Sequence, residues 1–284
     1  MAVFLGNLKM KCLCTAFPIF ANMDHITSPG NPRIRNLVLL QEKSRERRKQ
    51  NLIVVEGFRE VCIAMDAGYV IREVYYCPEV GELDLSRLPS NTIVTYISRP
   101  VFEKLAYREG SDGFIAVLEP RLHKLDDIKL RDNPLIVILE SVEKPGNLGA
   151  ILRTADAVNA HAVIICDPLT DIHNPNVIRS SIGCVFSRQI VACSSSEARK
   201  WLKENGITTY AAELTASERY DTCDYQKPTA FVMGTEADGL TETWIKFCDH
   251  RIIIPMLGSI DSLNVSVSTA VLLFEAMRQR GFKK

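Results

Sequence analysis

Three segments of the chain place polar side chains and glycines directly after apolar runs that suit β-strands. The first of them, residues 145–153, follows an apolar run at residues 135–139. Asn147 stands where a helix would need a capping side chain, and Arg153 follows six residues later. This arginine could reach a phosphate or a carboxylate. On spacing alone, however, a helix cap and a surface ion pair are the better interpretation.

The second segment, residues 234–241, follows the apolar residues 230–233. Its spacing imitates the phosphate-binding loop Gly-x-x-x-x-Gly-Lys-Thr, but Leu240 stands where that loop needs its lysine. Glu236 and Asp238 would also repel a polyphosphate. These features exclude an ATP-binding loop. A loop of backbone amides with a carboxylate still suits a cationic or neutral ligand.

The third segment comprises residues 254–256 and 261–266, where the chain leaves a predicted strand and enters a predicted helix. Ser262 and Asn264 are small hydrogen-bonding residues that suit helix capping, so this segment alone is a weak indication of a site. Open α/β sheets bind ligands beyond the carboxyl ends of their strands. All three segments hold that position, so each is a candidate ligand-binding loop.

Apolar patterning divides the chain into two α/β regions joined by a charged, proline-broken linker at residues 119–132. Residues 25–118 predict a small α/β domain, and residues 133–284 predict a mostly parallel sheet covered on both faces. Residues 1–24 show no periodic apolar face and are expected to form a flexible tail. The predicted strands are 52–55, 74–76, 93–96, 114–118, 135–139, 162–166, 190–192, 208–211, 230–233 and 251–254. The predicted helices are 34–49, a segment ending near residue 68, 148–158, 195–204, 241–247 and 264–280.

Composition limits the classes of protein that need to be considered. A hydrophobic content of 46% predicts a buried core rather than large-scale disorder. The chain has no apolar run long enough for a membrane-spanning helix. Its nine cysteines and five histidines lack metal-ligand spacing, so no metal site is expected, and reduced thiols predict a cytoplasmic protein.

In order and spacing, the three segments resemble the three motifs of the SpoU (TrmH) family of RNA ribose methyltransferases, in the SPOUT superfamily. The matching residues are Asn147, Gly149, Arg153 and Thr154, then Gly234, Glu236 and Gly239, then residues 254–256 and 262–266. Residues 174–181 are similar to the segment between the first two motifs. The likeness spans about half the chain. More loosely, the N-terminal region resembles the RNA substrate-binding domain that precedes many SpoU catalytic domains.

The resemblance implies a SPOUT-type parallel sheet with a C-terminal trefoil knot, in a protein that forms a homodimer. It further implies that S-adenosylmethionine (AdoMet) is held by main-chain groups at Gly234, Ile254 and Leu263. The implied reaction transfers a methyl group to a ribose 2′-hydroxyl of structured RNA, with 23S ribosomal RNA favoured as the substrate. Transfer RNA, methylation of a base, and a non-catalytic RNA- or ribosome-binding factor remain as alternatives.

The same resemblance implies catalytic roles for five side chains: Asn147, Arg153, Glu236, Ser262 and Asn264. Arginine stays protonated in proteins, so we expect Arg153 to bind phosphate and stabilise alkoxide charge rather than to act as a base. The asparagines and Ser262 would orient the ribose and Arg153, and Glu236 would pair with Arg153 or with a backbone donor.

Net charge also bears on RNA binding. The chain carries 34 basic and 34 acidic residues, so any attraction for RNA must come from a local patch. Between residues 33 and 49, seven basic side chains face two acidic ones, an excess of five. Such runs are often only solvated faces, but here we favour contact with RNA.

Overall fold

The computed structural model describes residues 25–107 and 110–283. The expected flexible tail at residues 1–24 lies outside the described residues. The strands are β1 His25–Ile26, β2 Ile53–Glu56, β3 Ile71–Tyr76, β4 Val94–Ile97, β5 Phe114–Leu118, β6 Leu135–Glu140, β7 Ala162–Cys166, β8 Gln189–Cys193, β9 Thr208–Ala212, β10 Glu218–Arg219, β11 Thr229–Met233 and β12 His250–Ile253. The α-helices are α1 Pro32–Glu42, α2 Ser44–Gln50, α3 Phe58–Asp66, α4 Arg99–Leu105, α5 Pro145–Ala157, α6 Pro175–Ser180, α7 Cys184–Ser187, α8 Ser195–Glu204, α9 Glu242–Phe247 and α10 Val265–Gln279.

The larger sheet has seven strands in the order β10-β12-β9-β11-β6-β7-β8, and every pairing in it is parallel. Strand β6, which lies between β11 and β7, is buried along its whole length. Leu135, Val137 and Leu139 pack on one face in the same apolar cluster as α5 and α10 residues. Ile136 and Ile138 pack on the other face with α8 and α9 residues. This alternation confirms the predicted parallel sheet covered on both faces. The trefoil knot stays a prediction.

The smaller sheet has five strands in the order β1-β4-β3-β5-β2 and is mixed. Strand β4 pairs in parallel with β1 and β3, whereas β5 pairs antiparallel with β2 and β3. The alternation of strands and helices in this region agrees with the predicted small α/β fold.

The predicted helix over residues 34–49 is wrong in one respect, because it is two helices. Lys43 adopts an extended conformation and separates α1 from α2. The guanidinium of Arg47 turns back and donates to the carbonyl oxygens of Leu40 at 2.7 Å and Gln41 at 2.9 Å. It thereby satisfies acceptors that the end of α1 leaves without helical partners.

Arg47 also joins the two regions. Its guanidinium forms an ion pair with Asp171 of the C-terminal region at 2.7 Å, and its side chain is only 4% exposed. Arg33, from the same basic run, donates to Thr95 at 2.9 Å and pairs with Glu73 at 3.2 Å. These two arginines therefore serve the fold, which corrects their assignment to an RNA-binding cluster.

Two further differences from the predicted elements lie close to the polar segments. Helix α5 begins at Pro145, three residues before the predicted start, because proline is suited to the first helical turn. The short helices α6 and α7 were not predicted. Gly149 explains how α6 fits against α5, since a Cβ atom there would lie 1.9 Å from the hydroxyl oxygen of Ser180.

No helix in the described part of the chain is both long and apolar enough to cross a membrane. Within the same residues, no group of three or more potential metal ligands comes together.

The contact between Arg47 and Asp171 yields a stability prediction. Arg47→Met should lower the free energy of unfolding by about 3 kcal/mol, because it leaves a partly buried carboxylate without its cation. Urea unfolding at neutral pH measures the change. Arg48→Met removes the exposed neighbouring arginine and should stay within about 0.5 kcal/mol of the parent chain. Equal effects of the two substitutions would contradict a structural role for the ion pair.

Candidate functional site

The carboxylate of Glu236 is the centre of a polar cluster that joins the three segments. Its Oε1 atom accepts hydrogen bonds from Asn147 Nδ2 and Asn264 Nδ2, both at 2.6 Å. Its Oε2 atom forms an ion pair with the ammonium of Lys144. The amide of Asn264 also donates to Asn147 Oδ1 at 3.2 Å. One side chain from each segment thus contributes to a single hydrogen-bonded group.

Two helix N-termini position the partners of Glu236. Asn264 is the N-cap of α10, and its Oδ1 atom accepts from the backbone N–H of Ser266 at 2.9 Å. Lys144, not Asn147, is the N-cap residue of α5. The predicted capping role of Asn147 is therefore wrong. Asn147 lies inside the first turn, which frees its amide to reach Glu236.

The cluster fixes the ionisation state of Glu236. Its hydrogen bond to Lys144 is the largest influence and lowers the pKa of Glu236. Desolvation opposes this shift, and the hydrogen bond from Asn147 adds to it. The carboxylate is therefore charged near neutral pH and accepts hydrogen bonds on both oxygens. Such a group is poorly suited to take a proton from a substrate.

Glu236 stands on a tight loop that follows β11. The backbones of Thr235 and Gly239 exchange two hydrogen bonds, at 3.0 and 3.2 Å. A Cβ atom on Gly234 would lie 2.1 Å from the carbonyl carbon of Gly239, so only glycine fits there. Just after the loop, the buried carboxylate of Glu140 accepts from the Thr241 backbone N–H and hydroxyl, both at 2.8 Å. The loop is thus anchored to the end of β6.

Beside this loop lies a cavity of about 350 Å³. Gly234, Ile254 and Leu263, the three residues predicted to hold the cofactor, all line it. Glu236 and Ser262 line it as well. Its other walls come from β9, from β12 and the chain that follows it, and from the start of α10. They include Ala212, Met233, Leu240, Ile252, Met256 and Val265.

Arg153 stands apart from this cluster. It lies about 9 Å along α5 from Asn147 and on a different face of the helix, because six residues make one and two-thirds turns. Its side chain is exposed and forms no hydrogen bond or ion pair with any residue that the structure describes. The predicted pairing of Glu236 with Arg153 is therefore wrong within one chain. Lys144, Asn147 and Asn264 hold that carboxylate instead.

Two residues of the site were missed by sequence reasoning. Lys144 lies at the N-cap of α5, where a cation is unfavourable without an acidic partner, but the predicted helix start at residue 148 placed it outside the helix. Glu140 lies at the end of an apolar strand and is 4% exposed. A carboxylate within such a strand requires hydrogen-bond donors nearby, and these are supplied by Thr241.

The lowered pKa of Glu236 predicts a pH dependence. A carboxylate whose folded pKa is depressed stabilises the fold above its unfolded pKa, and this contribution is lost as the pH falls through the folded value. The stability difference between the parent chain and Glu236→Gln should therefore be largest near neutral pH and should shrink on acidification below about pH 4.5. Urea unfolding across pH 3–7 measures it. A difference that is independent of pH would show that the ion pair contributes nothing.

Comparisons with known proteins agree with this architecture. Residues 134–274 match the SpoU rRNA Methylase family, and residues 31–116 match the MRM3-like substrate binding domain. The 23S rRNA (uridine(2479)-2′-O)-methyltransferase of Streptomyces viridochromogenes is 29% identical over 88% of this chain and 91% of its own length. A tRNA (guanosine(18)-2′-O)-methyltransferase of Thermus thermophilus is 44% identical over 57% of this chain and 84% of its own.

Similarity extends to solved structures. The crystal structure of an AdoMet-bound rRNA methyltransferase from Sinorhizobium meliloti is 29% identical, covers 90% of this chain and 98% of its own, and superposes with a TM-score of 0.82. Both the sequence of the motifs and the fold around them are therefore shared, and the chain belongs to the SpoU rRNA methylase family.

Proposed function

We propose that the protein transfers a methyl group from AdoMet to a ribose 2′-hydroxyl of RNA. The observation that carries this proposal is the Glu236 cluster, which joins the three polar segments beside one cavity. The names of the relatives from Streptomyces viridochromogenes and Thermus thermophilus also support it, since both proteins are RNA 2′-O-methyltransferases.

The cavity suits AdoMet in size and chemistry. Its volume of about 350 Å³ lies within the range of small-molecule sites. Apolar side chains such as Ile252 and Leu263 would cover an adenine ring, while main-chain groups at Gly234, Ile254 and Leu263 would supply hydrogen bonds. The carboxylates of Glu213, Glu236 and Asp238 also line it, and they favour a sulfonium cation over a polyphosphate. Bound AdoMet supplies an already activated methyl group.

The remaining catalytic task is to align a ribose hydroxyl and to stabilise the charge that forms on its oxygen. Ser262 lines the cavity, and its exposed hydroxyl forms no hydrogen bond with a described residue, so we assign it a contact with the ribose. Asn147 and Asn264 are held by Glu236 and would form the rigid wall against which the ribose is placed. Arg153 would act as a fixed cation on phosphate and on the developing alkoxide.

A homodimer would bring Arg153 to this wall. Within one chain the arginine lies outside the cluster, whereas the family resemblance implies a site shared between two subunits. Val267 and Phe274 support this arrangement. They lie seven residues apart on the same face of α10 and are 47% and 46% exposed. A second copy of the chain would cover this apolar face.

The N-terminal region is proposed to bind RNA through α2. With Arg33 and Arg47 committed to the fold, exposed basic side chains remain on and beside this helix. They are Lys43, Arg45, Arg48 and Lys49, none of which forms an ion pair with a described residue. We accordingly assign residues 25–118 to a substrate-binding domain, 119–132 to a linker and 133–284 to the catalytic domain.

Ribosomal RNA of the large subunit is the favoured substrate. The relative that acts on 23S rRNA aligns with 88% of this chain, whereas the relative that acts on tRNA aligns with only 57% of it. The N-terminal region would therefore serve the ribosomal substrate. Within the described part of the chain seven cysteines are free, which supports action in a reducing compartment such as the cytoplasm.

The experiment that tests this function is a nucleoside digest of RNA treated with the protein and isotopically labelled AdoMet. The expected product is a ribose-methylated nucleoside from 23S rRNA. Label in tRNA would show that tRNA is the substrate instead. A labelled base would show that the protein methylates a base rather than a ribose. No transfer to either RNA would favour a non-catalytic RNA-binding factor.

Substitution of Arg153 tests its proposed role. Arg153→Lys keeps the charge but loses the planar two-pronged geometry, and methyl transfer should fall about 100-fold. Arg153→Ala should be slower still, while AdoMet affinity changes little in both variants. Single-turnover rates and calorimetry measure the two effects.

The control is Arg87→Ala, which removes an exposed arginine of the N-terminal region. It should leave the single-turnover rate unchanged. Near-normal rates in Arg153→Ala would make Arg153 a surface residue, and a defect confined to AdoMet binding would move it to the cofactor cavity.

A further inference from the structure

A second cavity lies at the other end of the strands of the larger sheet, where β6 begins. It has a volume of about 830 Å³ and opens beside Leu135, the first residue of β6. The AdoMet cavity begins after Met233, the last residue of the neighbouring strand β11. The length of a five-residue strand, on the order of 15 Å, separates the two. The two cavities are therefore separate.

The lining of this second cavity is rich in cations. Arg131, Arg280 and Lys283 line it, against the single carboxylate of Asp132. Among residues 25–107 and 110–283, none of the three cations forms an ion pair. The guanidinium of Arg280 is fixed by donating to the carbonyl oxygens of Asn133 at 2.6 Å and of Tyr225 and Lys227 at 2.8 Å. Its positive charge is held in place without being neutralised.

His161 also lines this cation-lined cavity. Its Nδ1 atom accepts from the backbone N–H of Leu135 at 3.1 Å, so the neutral ring carries its proton on Nε2. That Nε2 atom is buried and has no hydrogen-bond partner among the described residues. A buried donor without an acceptor is costly. The pKa of His161 is lowered to about 4, chiefly by desolvation and also by the nearby positive charges of Arg131, Arg280 and Arg188.

We propose that this cavity binds a phosphate group, at a site separate from the methyl-transfer site. The fixed guanidinium of Arg280 and the cations of Arg131 and Lys283 are donors of the kind that recognise phosphate oxygens. The phosphate could belong to the backbone of an RNA or to a small phosphorylated molecule, since both present the same charged oxygens. The inference does not depend on the proposed function, because it rests on residues that take no part in that site.

The test titrates inorganic phosphate into the full chain while the side-chain ¹⁵N–¹H signal of His161 is followed by NMR. Chloride at equal ionic strength serves as the reference. A saturable shift of the His161 signal with phosphate, and none with chloride, is expected. Arg131→Ser should weaken phosphate binding roughly tenfold. Arg131 suits the test because its one described side-chain contact is a long 3.4 Å hydrogen bond to Asn159.

The matched control is Arg99→Ser, which removes an exposed arginine on α4 that pairs with Glu103. It should leave phosphate binding unchanged. Failure of phosphate to shift the His161 signal would overturn the proposal, as would equal weakening by both substitutions, which indicates unspecific charge.

A short RNA added at saturating phosphate identifies the source. Displacement of phosphate by RNA, with AdoMet affinity unchanged, assigns the site to the RNA backbone. Phosphate binding that RNA leaves unaffected assigns it to a small phosphorylated molecule. If the full chain binds phosphate but transfers no methyl group to RNA, the proposed function is contradicted and the proposed phosphate site is not.

Discussion

One carboxylate holds the candidate site together. Glu236 accepts from Asn147 and Asn264 and pairs with Lys144, and these partners come from chain segments about 90 and 30 residues away in sequence. Charge-assisted hydrogen bonds are stronger than neutral ones, so a single anion can fix two helix N-termini relative to one loop. Without it, two amides and an ammonium would lack their shared acceptor.

The parallel sheet makes this convergence possible. Neighbouring strands β6 and β11 end at the same edge, so the segments that follow them meet there. Glu140 at the end of β6 anchors the loop after β11, and Gly234 allows that loop to fold back on itself. The core on both faces of the sheet keeps the strand ends in fixed positions. The site therefore depends on packing far from the cavity as well as on its own hydrogen bonds.

Much of this arrangement could be predicted from the sequence, and the limits have physical causes. Continuous apolar strands identified the parallel sheet because burial on both faces leaves a strong local pattern. Polar segments after those strands identified the site, since ligand positions in such sheets follow from topology. The partners of Glu236 could not be predicted, because they depend on helix starts that differ by a few residues. Asn147 entered the first turn of α5 instead of capping it, and Lys144 took the position before it.

The break between α1 and α2 shows the same limit. No proline or glycine interrupts residues 34–49, but a tertiary contact decides the conformation at Lys43, since Arg47 reaches back to the end of α1 and across to Asp171. Short helices such as α6 carry too little periodicity to be recognised locally. Their position follows from the close approach of Gly149 and Ser180.

The most direct test of the central claim is the affinity of the full chain for AdoMet, measured by calorimetry with the parent protein and with Glu236→Gln. If the Glu236 carboxylate holds the cavity in shape, the parent should bind AdoMet and not ATP, and the variant should bind AdoMet at least about tenfold more weakly while remaining folded. Equal affinity in the two proteins would contradict the account, because the cavity would then form without the interaction on which it is said to depend.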